Sequence, residues 1–466
     1  MMSHSWLIFP FTAATILLFT LRPNLGICVL LFELILGGNG RWFEFYEYYT
    51  PRYILIFSLV IGCGLRAVYL CKPTYSDYLR KPIVIIPLLI FFGVLIIGVV
   101  HGFLEGNQEL LKDVQVWIYL ALSPVIVASF KKASFSVKIV RLFLLCGVIL
   151  AIIQIALTIT ANLYTSQVWD LYYLIEPMGI RISPIANTNI VYTFMSNSAI
   201  YGYILSISLL IALSKGSQTF GFRRYQLYLL SFFAILASIT SMGRGSWAQS
   251  LLTLTIVFIS VWRRQSRRQS VPFIITALLL SGVILGIIFL NPDWHDAFIE
   301  RISMIFTETN DIQDSNDSFV VKANEFKNGS SALWESPLIG YGFGLGRYSE
   351  NSNINQIYFH NSYLQFALKT GIMGLFVLLI LFFTILWRAF RTAHLSQNIS
   401  PEYSLLLRGM AYGLIGSLLA TLSNPHMTTP LFVVSLALLM AFTEQVKCRC
   451  VLRVHSLYNY TDRNKF

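Results

Sequence analysis

Three groups of residues in this sequence have the types and spacing for chemistry. His360 is followed by Asn361, nine further residues, and then Gly371 and Gly374 as a Gly-x-x-Gly pair. An imidazole, with an unperturbed pKa of about 6.5, suits proton abstraction from a hydroxyl near neutral pH. Asn361 beside it suits capping a helix or orienting a hydroxyl, and capping is the commoner use. Arg244 stands between two glycines in Ser241-Met242-Gly243-Arg244-Gly245-Ser246-Trp247. A guanidinium contacts phosphate oxygens bidentately and stays charged at any working pH, and flanking glycines let a ligand come close. Arg181, in Met178-Gly179-Ile180-Arg181, offers the same grip. Snorkelling to lipid headgroups satisfies both arginines equally well.

Further candidates surround these groups. Lys369 lies nine residues beyond His360 on the same predicted helix, about 13 Å deeper at about 1.5 Å per residue. A charge within an apolar run either works on a ligand or snorkels. Trp334 and Tyr341 flank the start of the series Gly340, Gly342, Gly344 and Gly346 and suit stacking on sugar rings, although membrane interfaces are rich in Trp and Tyr. No strand-then-helix unit frames the glycines, so a flexible loop near the substrate is expected rather than a dinucleotide site. Asp311, Asp314 and Asp317 recur every third residue without an EF-hand pattern, so a solvated acidic stretch and no metal site are expected.

The elements that carry these residues must be membrane helices. Of 466 residues 56% are hydrophobic and only 12% charged, against roughly 25% charged in soluble domains. The +12 formal charge sits in loops between apolar stretches, which argues against a nucleic-acid partner. The six cysteines show neither a disulfide framework nor a zinc spacing.

Runs near 20 apolar residues mark spans at Ile54–Leu70, Ile83–Val100, Val114–Phe130, Ile139–Thr160, Ile190–Leu213, Tyr225–Thr240, Ala248–Trp262, Val271–Leu290, Tyr363–Trp387, Leu405–Leu422 and Pro430–Phe442. Trp6–Leu21 and Leu25–Leu36 are either two spans or one broken crossing, which makes about twelve to thirteen spans in all. An all-α polytopic bundle follows, because the alternative, a closed barrel, needs short alternating strands.

Basic residues alternate sides along the chain and fix an expected orientation. Arg80 and Lys81, Lys131 and Lys132, Arg223 and Arg224, Arg263 to Arg268, and Arg388 and Arg391 fall on the inside, while residues 291–359 hold ten acids against four bases and fall outside. The first 21 residues have no Lys or Arg, so targeting by the spans themselves is expected instead of a cleaved signal peptide. The expected organisation is 1–290 N-terminal transmembrane helices, 291–361 a large, mostly helical periplasmic loop, 362–443 C-terminal transmembrane helices, and 444–466 a cytoplasmic basic tail.

The motifs together carry a family resemblance. His360-Asn361 with Gly371 and Gly374 resembles the hallmark of the O-antigen ligase and polymerase superfamily, integral membrane glycosyltransferases. Pro337-Leu338-Ile339-Gly340-Tyr341-Gly342-Phe343-Gly344 is similar to its Pro-Leu-x-Gly-x-Gly-x-Gly segment, and Ser241-Met242-Gly243-Arg244-Gly245 to its Ser-x-(Gly/Ser)-Arg-Gly turn. The resemblance covers roughly residues 179–442. It departs at Lys322, fifteen residues before Pro337, where family members often carry Arg and where Lys would grip less well.

The resemblance implies a multi-pass protein of the bacterial inner membrane whose site faces the periplasm. It implies transfer of a glycan from an undecaprenyl diphosphate carrier to a hydroxyl acceptor, either lipid A core (ligase) or a growing polysaccharide (polymerase). His360 is then the catalytic base, with Arg181 and Arg244 binding the diphosphate. Asn361, Lys369, Lys322, Trp334 and Tyr341 remain candidates for substrate contact or helix capping. Inversion at the anomeric carbon, with no cofactor and no metal, is expected. A polysaccharide flippase is the reading from another class, and it requires polar residues through the depth of several spans.

Overall fold

The computed structural model describes residues 8–36, 51–69, 82–107, 110–121, 123, 126, 133–164, 170, 181–184, 192–195, 199–213, 217–241, 243–262, 282, 286, 299, 318–344, 347–349, 352–356, 361–422, 427 and 429–463. In chain order the first elements are α1 (Ile8–Leu21), α2 (Pro23–Leu36), α3 (Pro51–Tyr69), α4 (Pro82–Leu104), α5 (Leu110–Ala121) and α6 (Ala133–Leu163). There follow β1 (Arg181–Pro184), β2 (Tyr192–Met195), α7 (Ala199–Ala212), α8 (Arg224–Thr240), α9 (Arg244–Trp262) and α10 (Ser318–Glu335). The last are β3 (Arg347–Ser349), β4 (Ser352–Gln356), α11 (Ser362–Leu395), α12 (Pro401–Ala420) and α13 (Pro430–Arg463).

Helices dominate because the apolar sequence leaves backbone groups no water to bind, and a helix satisfies them internally. Five of them, α2, α3, α4, α12 and α13, open on proline. The missing N–H costs nothing at the first helical position, and the ring presets φ. Among the described residues six helices are long and apolar enough to cross a membrane: Ile86–Leu104, Phe135–Leu163, Gly245–Trp262, Ser362–Leu395, Pro401–Ala420 and Leu431–Cys448. The chain is an all-α, multi-pass membrane protein, with two short antiparallel ladders, β1–β2 and β3–β4, between its helices.

Several boundaries differ from the sequence expectation. The span expected from Ile190 opens instead as strand: Tyr192–Met195 pairs with Arg181–Pro184, Arg181 opposite Met195, and helix resumes at Ala199. Tyr, Thr and Phe favour a pleated strand, so hydropathy alone does not make this run helical. The helix expected from Val114 starts at Leu110, which brings Asp113 inside it. Helix α13 continues through the segment expected as a tail, to Arg463. The first apolar stretch breaks at Arg22 into α1 and α2 of 14 residues each. At about 1.5 Å per residue the described part of each is about 21 Å long. Most of the expected span Val271–Leu290, and Asp311, Asp314 and Asp317, lie outside the described residues.

The chain divides into two compact units. The first comprises Met1–Pro73, Ser129–Glu308 and Ser400–Gly416; the second comprises Thr74–Ala128, Thr309–Ile399 and Ser417–Phe466. In the first unit, small residues bring helices into backbone contact. A Cβ on Gly62 of α3 would stand 2.7 Å from Phe19 Cβ and 2.9 Å from the Ile16 carbonyl of α1. On α12, Gly409-x-x-x-Gly413 meets α7, where a Cβ at either position would lie 2.8 Å from Ile207 Cα or Tyr203 Cα, and Ser206 Oγ donates to the Gly409 carbonyl at 2.6 Å. Close backbone approach and inter-helix hydrogen bonds are what hold helices together when lipid removes the hydrophobic drive. Gln154 of α6 adds a buried link, donating to the Ala237 carbonyl and accepting from Tyr201, both at 2.7 Å.

The second unit is built on α11, packed against α4, α10 and α13, with α5 against α13. Phe91, Trp117 and Phe366 form an aromatic cluster with centroids 5.3 to 6.0 Å apart, and Phe343 joins it edge-on at 6.3 Å from Phe366. Nearer the far end of α11, Arg388 and Glu444 form an ion pair.

Candidate functional site

The second unit organises the glycine motifs around a break in α11. Asn361 is the N-cap, its Oδ1 accepting the N–H groups of Tyr363 and Leu364 at 3.0 Å each. The helix runs to Thr370 and is interrupted at Gly371, whose φ of 73° and ψ of 178° no helix contains. Such an interruption strips carbonyls of their partners, and the turn around Gly340 supplies new ones. Tyr341 N–H donates to the Leu368 carbonyl at 2.8 Å, Gly342 N–H to Lys369 at 3.0 Å, and Ile372 N–H to Pro337 at 2.8 Å.

That turn closes on itself through Ser336, whose carbonyl accepts from Gly340 N–H at 3.1 Å and whose hydroxyl donates to the Gly340 carbonyl at 2.8 Å. Beyond it, Phe343 N–H donates to Gly98 of α4 at 3.0 Å, and Asn107 Nδ2 donates to the Phe343 carbonyl at 2.9 Å. Gly340 and Gly342 have positive φ, and a Cβ on either would run into backbone: Gly371 N at 2.6 Å for the first, Gly102 for the second. The glycines are therefore a fitted plug in a broken helix. The flexible loop expected from sequence is corrected over Gly340 to Gly344, where every backbone N–H is hydrogen-bonded, and Gly346 lies outside the described residues.

Lys369 is 4% exposed and ion-paired through Nζ with Asp113 Oδ1, while Asp113 Oδ2 accepts the Gly344 N–H at 2.9 Å. Of the two readings of Lys369, snorkelling does not hold, because a buried carboxylate lies within its reach. A Lys in the last turn before the break also suits the partial negative charge of a helix C-terminus. Asp113 is the residue that sequence reasoning missed. One acid bordering an apolar run, matched by one lysine in another, was the available signal.

The Tyr341 hydroxyl lies 2.7 Å from the Glu335 carboxylate and 3.0 Å from the Ala332 carbonyl, so it is engaged within the fold. Trp334, by contrast, is 75% exposed in the last turn of α10. Lys322 stands in the first turns of α10. His360 lies outside the described residues and immediately precedes the Asn361 cap in sequence.

In the first unit Arg181 opens β1 and Arg244 is the first residue of α9. The turn before Arg244 is short: Ser241 caps the end of α8, its Oγ donating to Ser238 at 2.7 Å and accepting from Gly243 N–H at 3.3 Å. The Gly243 carbonyl takes the first helical bond of α9, from Trp247 at 3.1 Å. The first turn of α9 contains no acid. The structure thus gathers Tyr341, Asn361, Lys369 and Asp113 in the second unit, and Arg181 and Arg244 belong to the first.

A multi-pass helical membrane protein with a broken helix plugged by a glycine-rich turn is the class that fold and motifs define. Residues 229–379 match the family model described as O-Antigen ligase, which supports a place for this segment in the O-antigen ligase-like superfamily. The match contains the Ser241–Gly245 turn, the Pro337–Gly344 segment, His360-Asn361 and both Gly371 and Gly374. Arg181 and Asp113 fall outside it. No curated protein matches the chain.

Proposed function

We propose that the chain transfers a glycan from an undecaprenyl diphosphate carrier to a hydroxyl acceptor at the periplasmic face of the bacterial inner membrane. Within that chemistry we assign it as an O-antigen ligase of lipopolysaccharide biosynthesis, with lipid A core as acceptor. The observation that carries the reading is the O-antigen ligase match over residues 229–379, because a single continuous segment takes in all three motifs.

Each residue has a task in this reading. The diphosphate gains charge as its bond to the anomeric carbon breaks, and fixed cations aimed at it stabilise that transition state. Arg181 and Arg244 hold it. The position of Arg244 supports this: it opens α9 with no acid in the first turn, at the end of a helix where unpaired N–H groups and the macrodipole favour an anion.

His360 takes the proton from the acceptor hydroxyl, a role that contributes about 10²- to 10⁴-fold. Asn361 fixes the start of α11 and so holds the chain next to that base. Direct attack by the acceptor oxygen on the anomeric carbon inverts its configuration, and the diphosphate departs with the pair of electrons of the broken bond. No metal is required.

Surface polysaccharide from cells with and without the gene, separated by gel and by lipid fraction, tests the assignment. Loss of long chains from lipid A core with long polymer left on the carrier is expected. Core carrying a single repeat unit would make the chain a polymerase. Repeat units trapped on the cytoplasmic face, with His360→Ala harmless, would make it a flippase.

A further inference from the structure

Leu338 and Ile339 lie at the foot of the glycine-rich turn and are 64% and 52% exposed. Their depth in the second unit can be read from two helices. On α11 the level is Gly371: a Cβ there would overlap the Leu338 carbonyl, and Ile372 N–H donates to Pro337. Exposure changes character at that point. Ser362 and Leu364 to Gly371 are all buried, whereas Ile372, Met373, Phe376, Leu379, Ile380 and Phe383 beyond it are exposed. A large apolar face exposed along a membrane-spanning helix is a lipid face, so lipid contact on α11 begins where Leu338 touches it.

On α4 the same level is Gly98, where a Cβ would stand 2.9 Å from the Phe343 ring and 3.5 Å from Thr370 Cγ2. Helix α4 runs on for six more residues, Val99 to Leu104, with His101 its one ionisable side chain there and Phe103 and Leu104 strongly exposed, before Glu105 and Gly106 end it. Six residues at about 1.5 Å place Leu338 and Ile339 about 9 Å inside the end of the apolar helix Ile86–Leu104, which is long enough to cross a membrane. Ala332 packs against Leu364 and Leu368, which puts the end of α10, with exposed Trp334, nearer the end of that stretch. Trp favours such an interface.

We infer that Leu338 and Ile339 are inserted among the phospholipid acyl chains of the leaflet nearer the start of α11, with Trp334 at that leaflet's headgroup level. The partner surface is bulk lipid, because Leu338 and Ile339 meet α11 at Gly371, where its exposed apolar face begins with Ile372 and Met373. Backbone at this depth needs its polar groups satisfied, and in the residues that follow, the N–H groups of Gly340, Tyr341, Gly342 and Phe343 are all bonded within the unit. The plug is therefore a re-entrant wedge anchored in the membrane, and this holds whether or not the chain transfers glycans.

The test uses the full chain in phospholipid vesicles with its six native cysteines replaced. An environment-sensitive fluorophore is placed on Leu338→Cys, on Ile339→Cys as a second site, and on Lys327→Cys as an exposed charged control. At 338 and 339 the emission should shift to shorter wavelength and lose intensity with nitroxide-bearing acyl chains but not with aqueous iodide; at 327 the order should reverse. Iodide quenching at both 338 and 339 would overturn the inference. Quenching there by a nitroxide-bearing polyprenyl phosphate, with none from nitroxide phospholipid, would overturn it too, because a private groove would then cover these side chains.

Discussion

Lys369 and Asp113 form an ion pair inside the second unit, and the carboxylate oxygen not facing the lysine holds the Gly344 N–H at 2.9 Å. One charge pair thus fastens α5, α11 and the glycine-rich turn together, and it does so beside the break that the turn fills.

Removing one partner leaves the other charge buried, which costs about 3–5 kcal/mol. Lys369→Met and Asp113→Asn should each lower the yield and thermal stability of detergent-solubilised protein. The double variant should recover much of the loss, because no unpaired charge remains and Asn can still accept the Gly344 N–H. Equal stability of all four proteins would show that the pair fastens nothing.

Gly342→Ala is expected to be poorly tolerated, since φ is 83° and the new Cβ would collide with the Gly102 backbone of α4. A non-glycine residue in this conformation costs about 1–3 kcal/mol before the collision is counted. Gly93→Ala, where a Cβ meets nothing within 4 Å, should behave as wild type. Size-exclusion profiles of the two variants compare them directly.

Gly413→Leu should disrupt the first unit, because α7 approaches within 2.8 Å of the space that a Cβ would occupy. Ser206→Ala at the same contact removes one inter-helix hydrogen bond and should cost only about 0.6 kcal/mol. Thermal unfolding in detergent should rank Gly413→Leu well below Ser206→Ala.

Arg244→Ala should leave the protein folded and lower glycan transfer at least about tenfold, with Arg244→Lys between it and wild type, because Lys keeps the charge but loses the bidentate fork. Transfer by Arg244→Ala at the wild-type rate would remove the arginine from the diphosphate site.

The sequence was legible where its signal is local. Apolar runs gave most helices, and the spacing of His360, Gly371 and Gly374 pointed to the segment that the family match later covered. The glycine series was read as flexible because nothing local shows that its N–H groups bond to Leu368, Lys369 and Gly98, contacts that exist only in the folded unit. Asp113 was missed for a related reason. Its partner lies 256 positions away, and a lone acid at the edge of an apolar run looks like a loop residue until that partner is seen. Tyr192–Met195 looked helical by hydropathy alone, and only its pairing with β1 distinguishes it.

The central claim is glycan transfer with His360 as base, and the direct measurement is transfer by purified protein in vesicles containing an undecaprenyl diphosphate-linked glycan and a lipid A core acceptor. The account predicts that wild-type protein forms the glycan–core product and releases undecaprenyl diphosphate, and that His360→Ala, folded to the same yield, does so about 10²-fold more slowly or worse. His360→Ala working at the wild-type rate, or wild-type protein forming no product, would contradict it.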